Sequence, residues 1–156
     1  LYILIRFRKW QFSLGAVAAV FHDVLIVLAI FSIFYGIMPF SLEIDQAFIA
    51  AILTIIGYSL NDTVVVFDRV REYMSMYKKR EIETVMNNAL NSTLSRTINT
   101  SMTTFFVLLV IFLFGGEVIR GFMFALMVGV LVGTYSSLFV ASPIMLDTLK
   151  REKIKE

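Results

Sequence analysis

The sequence predicts an all-α, polytopic membrane protein: a bundle of four full transmembrane helices plus the end of a fifth. Three observations carry this. Of 156 residues, 58% are hydrophobic and only 17% charged, whereas soluble domains carry about 45–50% apolar and about 25% charged residues. The mean hydropathy is +0.82. The apolar residues also fall into long runs bounded by charge clusters, each near the ~20 residues needed to cross a bilayer.

The elements follow in order. The chain opens inside an apolar segment, and residues 1–5 (LYILI) read as the tail of a helix begun further upstream. The first full span covers about residues 13–38, and Pro39 closes it. After the loop FSLEID, the second covers about 46–67. A polar stretch at about 73–91 carries Ile82, Val85, Met86 and Leu90 at helical spacing, as expected of an amphipathic helix on the inner membrane face that leads into the third span, with a solvated loop as the alternative. The third span covers about 92–114 and stops at Gly115-Gly116; the fourth covers about 121–146. Gly15 with Ala19, and Gly129 with Gly133, are small-residue pairs that let helices approach closely.

Every Lys and Arg except Arg96 and Arg120 falls in segments that this count of spans puts on one side. The positive-inside rule makes that side, and the C-terminus, cytoplasmic. The basic tail, from Lys150 to Lys155, suits an anchor at an anionic leaflet. A net charge of +2 is no nucleic-acid signature. There is no Cys, His22 is the sole His, and no Walker-type phosphate loop is present, so thiolate chemistry, a zinc cluster and ATP hydrolysis are not expected. No cofactor and no enzymatic activity are expected.

Ionisable groups inside the spans are the functional signal, since one near the bilayer centre costs roughly 2.5–3.5 kcal/mol. His22 and Asp23 lie in the first span, Asn61 and Asp62 in the second, Arg96 and Asn99 in the third. Ser92, Arg96, Asn99 and Thr103 recur at helical spacing and form one stripe; Tyr58, Ser59, Asp62 and Thr63 share a face of the preceding helix. Two such stripes on consecutive antiparallel helices can meet, and an Asp62–Arg96 pair would then hold both charges in the membrane. The bland alternative is that Ser and Thr here are interhelical glue, averaging about 0.6 kcal/mol each.

Four segments carry a resemblance: residues 57–72 (GYSLNDTVVVFDRVRE), residues 21–24 (FHDV), residues 91–101 (NSTLSRTINTS) and the last span with Ser142-Pro143. Together they resemble the SecF signature of the SecD/SecF family of protein-export membrane proteins, within the resistance-nodulation-division (RND) class of permeases. The resemblance implies half of an RND-type pseudo-symmetric bundle, with a first helix and a periplasmic domain upstream. It implies residence in the bacterial inner membrane. It implies a SecD partner, separate or fused, and work beside the SecYEG channel, with YajC and YidC as further partners. The expected activity is proton-motive assistance to a translocating polypeptide. Asp62 would be the acidic member of the proton path and Arg96 its basic partner; Asn61, Asn99, His22 and Asp23 are lesser members.

Rival readings remain at this point. An RND-type exporter of small molecules or lipids would share the bundle. A passive scaffold would use the charges for assembly alone. An intramembrane aspartyl protease would need a carboxylate dyad such as Asp23 and Asp62, but Asp62 lacks the Gly-x-Gly turn of such enzymes.

Overall fold

The computed structural model of the chain describes residues 2–155; Leu1 and Glu156 lie outside the described residues, as do the side chains of Lys153, Ile154 and Lys155. Six α-helices follow one another: α1 (Tyr2–Phe7), α2 (Trp10–Phe34), α3 (Gln46–Met76), α4 (Ile82–Phe114), α5 (Glu117–Ser136) and α6 (Ser142–Lys155). A π-helical turn, Ser137–Ala141, joins α5 to α6. Four stretches are long and apolar enough to cross a membrane: α2, α3, α4 and the composite Glu117–Glu152.

Local chemistry sets several boundaries. Asp45 caps α3, its Oδ1 accepting from the Phe48 amide at 2.8 Å, which satisfies one of the unpaired donors at a helix start. The α2 helix ends at Phe34, ahead of the Pro39 stop expected from sequence. The chain turns there at Gly36, whose φ of +75° suits a residue without Cβ. The α5–π–α6 break has its cause two residues downstream of the π turn. Pro143 has no amide to donate to a carbonyl one turn back, and its ring clashes with that turn. A widened turn relieves the clash, and Ser142 Oγ bonds the Ser137 carbonyl at 2.9 Å.

The surface helix expected at about 73–91 is not a separate element. Residues up to Met76 extend α3, a connection spans 77–81, and the rest forms the first turns of α4. Val85, Met86 and Ala89 are buried against the bundle. An apolar stripe that packs on neighbouring helices has no reason to lie in the lipid interface. At 31 residues, α3 is ~46 Å long at 1.5 Å per residue, beyond the ~30 Å hydrocarbon. Both α3 and α4 therefore project past the membrane at the basic end.

Two apolar clusters organise the interior. Near the basic end, Phe7, Phe12 and Phe67 stack and meet edge-on at 4.9–6.0 Å, with Ala19, Val66, Leu138 and Ala141 around them. Toward the other end, Val27, Phe31, Phe48, Ile55 and Leu126 form the second cluster. Glycines bring the helices together: a Cβ at Gly15 would lie 2.5 Å from the Ala141 carbonyl, and one at Gly129 would collide with Ile55. The close approaches expected at the small-residue pairs are present. Ties at the basic end fix the termini. Arg6 pairs with Asp68 at 2.9 Å, Gln11 Nε2 donates to Glu152 at 2.6 Å, and Lys150 pairs with Glu83.

Candidate functional site

Each of α2, α3 and the α5–π segment carries polar residues at the level between the two apolar clusters: Asp23 between Ala19 and Val27, Ser59 to Thr63 between Ile55 and Val66, and Gly133 to Ser137 between Leu126 and Leu138. Within lipid such groups must find partners in the protein. Here they form one layer.

Asp23 is 1% exposed. Its Oδ2 accepts from Ser59 Oγ at 2.5 Å and from Ser136 Oγ at 2.8 Å, while Oδ1 lies 3.1 Å from His22 Nδ1. Gly133 permits this, since it leaves α5 close enough to α3 that a Cβ would sit 3.3 Å from that of Ser59. One residue along the chain, Ser137 Oγ donates to Asp62 Oδ2 at 2.6 Å. Consecutive serines of one helix thus serve two carboxyls on two others. On the α4 side, Tyr58 bonds Ser101 at 3.3 Å and Ser101 bonds Thr134 at 2.5 Å. Thr97 Oγ1 is buried and faces Asp62.

The expected stripe of α4 is corrected. Ser92, Arg96, Asn99 and Thr103 are exposed, and the stripe that packs inward is Ala89, Thr93, Thr97 and Ser101, one position along. The cause is size: Thr97 fits against α3, whereas an arginine there would need a buried counterion and room for its guanidinium. The Asp62–Arg96 ion pair is accordingly not formed. Among the described residues the ion pairs are Arg6–Asp68, His22–Asp23, Arg69–Glu72, Lys150–Glu83 and Arg151–Asp147. Arg96 lies close enough for its charge to reach Asp62, but does not touch it. Asn61 and Asn99 are also exposed, outside the network. By contrast, the face of α3 carrying Tyr58, Ser59, Asp62 and Thr63 turns into the bundle as expected, with Ser59 and Thr63 buried.

Ser136 and Ser137 escaped the sequence reading. Their one signal was a pair of adjacent hydroxyls in a largely apolar span, about two turns before a proline. Among the described residues no group of three or more His, Asp or Glu side chains is placed to hold a metal.

The sequence profile described as "Protein export membrane protein SecD/SecF, C-terminal" matches residues 1–151. The chain belongs to the SecD/SecF family. It is 64% identical over 150 residues to the protein translocase subunit SecF of Rhodothermus marinus, covering 96% of this chain and 48% of that one. To the protein translocase subunit SecDF of Brucella abortus it is 46% identical over 147 residues, covering 94% and 18%. It superposes on a crystal structure of SecDF in its super-membrane-facing form with a TM-score of 0.85 at 40% identity, covering 99% of this chain and 20% of that one. A SecDF structure from Thermus thermophilus, described as translocon-associated, gives 0.84 at 40% identity, covering 96% and 20%. The chain spans about half the length of the SecF relatives it matches.

Proposed function

We propose that this chain is the membrane-embedded part of a SecF-type subunit that works with a homologous SecD bundle, separate or fused, to assist polypeptide export through the SecYEG channel. The assembly sits in the bacterial inner membrane with the Lys/Arg-rich end cytoplasmic, uses the proton-motive force, and does no bond-breaking chemistry of its own. Asp62 is the proton-carrying carboxyl and Arg96 its basic counterpart.

The observation that carries this reading is the open polar face of the bundle. Arg96, Asn99 and Thr103 share one exposed stripe of α4, Asn61 is exposed on α3, and Asp62 next to it is half-buried within reach of the Arg96 charge. An arginine facing lipid costs up to roughly 2.5–3.5 kcal/mol, the value at the bilayer centre, so this face calls for a covering element that is itself polar. A second bundle of the same family meets that need, and SecDF relatives with both halves in one chain supply the precedent. With the face covered, rearrangement of the two halves would bring Arg96 toward Asp62 or withdraw it. An approaching cation favours a charged carboxyl, and loss of water favours the neutral acid. A proton crossing the full membrane potential releases roughly 2.3 kcal/mol per 100 mV, enough to bias such a motion.

The test is export driven by an imposed proton gradient in membranes carrying the full-length complex. Asp62→Asn and Arg96→Ala are each expected to remove most of the gradient-dependent export and leave the gradient-independent part intact. Unchanged gradient dependence in both variants would overturn the reading.

A further inference from the structure

We propose that Asp23 is a second proton-binding carboxyl, coupled to Asp62 through the hydroxyls of Ser136 and Ser137. The proposal rests on the reading of Asp62 as a proton carrier and adds a second site and a link to it.

The geometry begins with a count of protons. A serine hydroxyl has one proton to donate, and each of these serines has two acceptors within reach. Ser136 Oγ lies 2.8 Å from Asp23 Oδ2 and 3.2 Å from the Gly133 carbonyl. Ser137 Oγ lies 2.6 Å from Asp62 Oδ2 and 3.0 Å from the Thr134 carbonyl. With a carboxylate opposite, the charge-assisted bond is the stronger, and the hydroxyl points across to the neighbouring helix. With a neutral acid opposite, the hydroxyl is free to fall back on its own helix. Back-bonding of this kind bends helices. Both serines stand where the backbone widens into the π turn, with Ser137 its first residue. Because the serines are adjacent, a change of register that draws one off its carboxyl also moves the other.

Asp23 has the surroundings of a group that exchanges a proton. Ser59 and Ser136 donate to one of its oxygens, while the other faces His22 Nδ1 at 3.1 Å. From α2 that contact is with His22, from α3 with Ser59, and from α5 with Ser136; among the described residues no Lys or Arg pairs with it. Around Asp62 stand Ser137, Thr97 and, further off, the charge of Arg96. The His22–Asp23 contact holds a proton at either end. When His22 is the imidazolium and Asp23 the carboxylate, transfer breaks the Nδ1–H bond and forms an Oδ1–H bond, leaving a neutral imidazole that keeps its Nε2 proton and accepts through Nδ1. The His22 side chain is 31% exposed against 1% for Asp23, so the ring connects a sealed carboxyl to the bundle surface.

The experiment is infrared difference spectroscopy of the carboxylic acid C=O region during acidification, on the full-length complex with its homologous partner in lipid vesicles. Wild type is expected to show two titrating bands from these spans. Asp62→Asn should abolish one and shift the midpoint of the other. Asp23→Asn should abolish that other band. In the Ser136→Ala, Ser137→Ala double variant, both bands should persist while Asp62→Asn no longer shifts the remaining midpoint. If Asp23→Asn fails to assemble, Ser136→Ala alone serves: it should shift the midpoint of the band that survives Asp62→Asn. An Asp62 band with no second band in wild type overturns this proposal and leaves the proton-carrier reading standing. A second band indifferent to Asp62→Asn overturns the coupling. Absence of any Asp62 band overturns both.

Discussion

A methyl group added at Gly15 meets a different fate from one added at Gly133. At Gly15 the new Cβ would lie 2.5 Å from the backbone oxygen of Ala141, which cannot rotate away; at Gly133 it would lie 3.3 Å from the Cβ and 3.6 Å from the Oγ of Ser59. Overpacking against fixed atoms costs typically about 1–3 kcal/mol. Gly15→Ala is therefore expected to lower the midpoint of denaturation in mixed micelles by that order, and Gly133→Ala to lower it less. Equal effects would show that the backbone at the π turn yields more readily than its geometry implies. The spacing of Gly15 and Ala19 announced a close approach in the sequence, but nothing there named Ala141 as what is approached. The same holds for charge. The residue types Asp23, His22, Asp62 and Arg96 were legible as costly and therefore purposeful, whereas their partners were not. Asp62 is held by a serine 75 positions away, and a small hydroxyl leaves little trace in an apolar run.

The composite helix from Glu117 to Lys155 is the element on which the site turns. Its π turn places Ser136 and Ser137 on two different carboxyls and is held open by Pro143 and by the Ser142 hydroxyl on the Ser137 carbonyl. Replacing Pro143 with Ala restores an amide donor and removes the ring clash, so a regular α-helix becomes available; Pro in a helix interior costs about 3 kcal/mol relative to Ala. Pro143→Ala is expected to hold or raise the thermal midpoint while gradient-driven export falls, because the two serines lose their register. A variant with unchanged export would show that the turn is an accommodation to proline and nothing more. At this scale the sequence located the four spans, and the Asp45 cap and the α3 start at Gln46 agree with the expected boundary. It read the stretch at about 73–91 as a helix leading into the third span, which holds for residues 82–91 of α4. The surface placement did not hold, because amphipathic periodicity has two explanations: an apolar stripe seeks either lipid or protein, and the pattern is the same for both.

For the whole molecule the decisive feature is the polar layer between two apolar clusters, open on the α3–α4 side. Asn99 and Thr103 are exposed there in the chain by itself, and a partner bundle would cover them. These 156 residues have no Cys, so in a complex whose remaining segments are also made Cys-free, a single engineered thiol reports its own surroundings. Asn99→Cys is expected to react with a membrane-permeant maleimide when the partner is absent and to be protected in the full complex. Phe139, on the last span and 63% exposed, is apolar and needs no polar cover, so the labelling of Phe139→Cys is expected to be unchanged between the two. Equal labelling of Asn99→Cys in both states would remove the reason for seating a second bundle on this face.

The sequence by itself determined the class, the number of spans, the sidedness expected from Lys and Arg, and the residue types that have no business in hydrocarbon. Those are properties of single segments, set by side-chain transfer energies that do not depend on neighbours. The tertiary structure decided which hydroxyl holds which carboxyl, that Thr97 and not Arg96 faces inward, and that a widened turn aligns two serines. Those outcomes depend on helix rotation and close approach, where one residue of register moves a side chain by about 100° around the axis and exchanges a buried partner for open membrane.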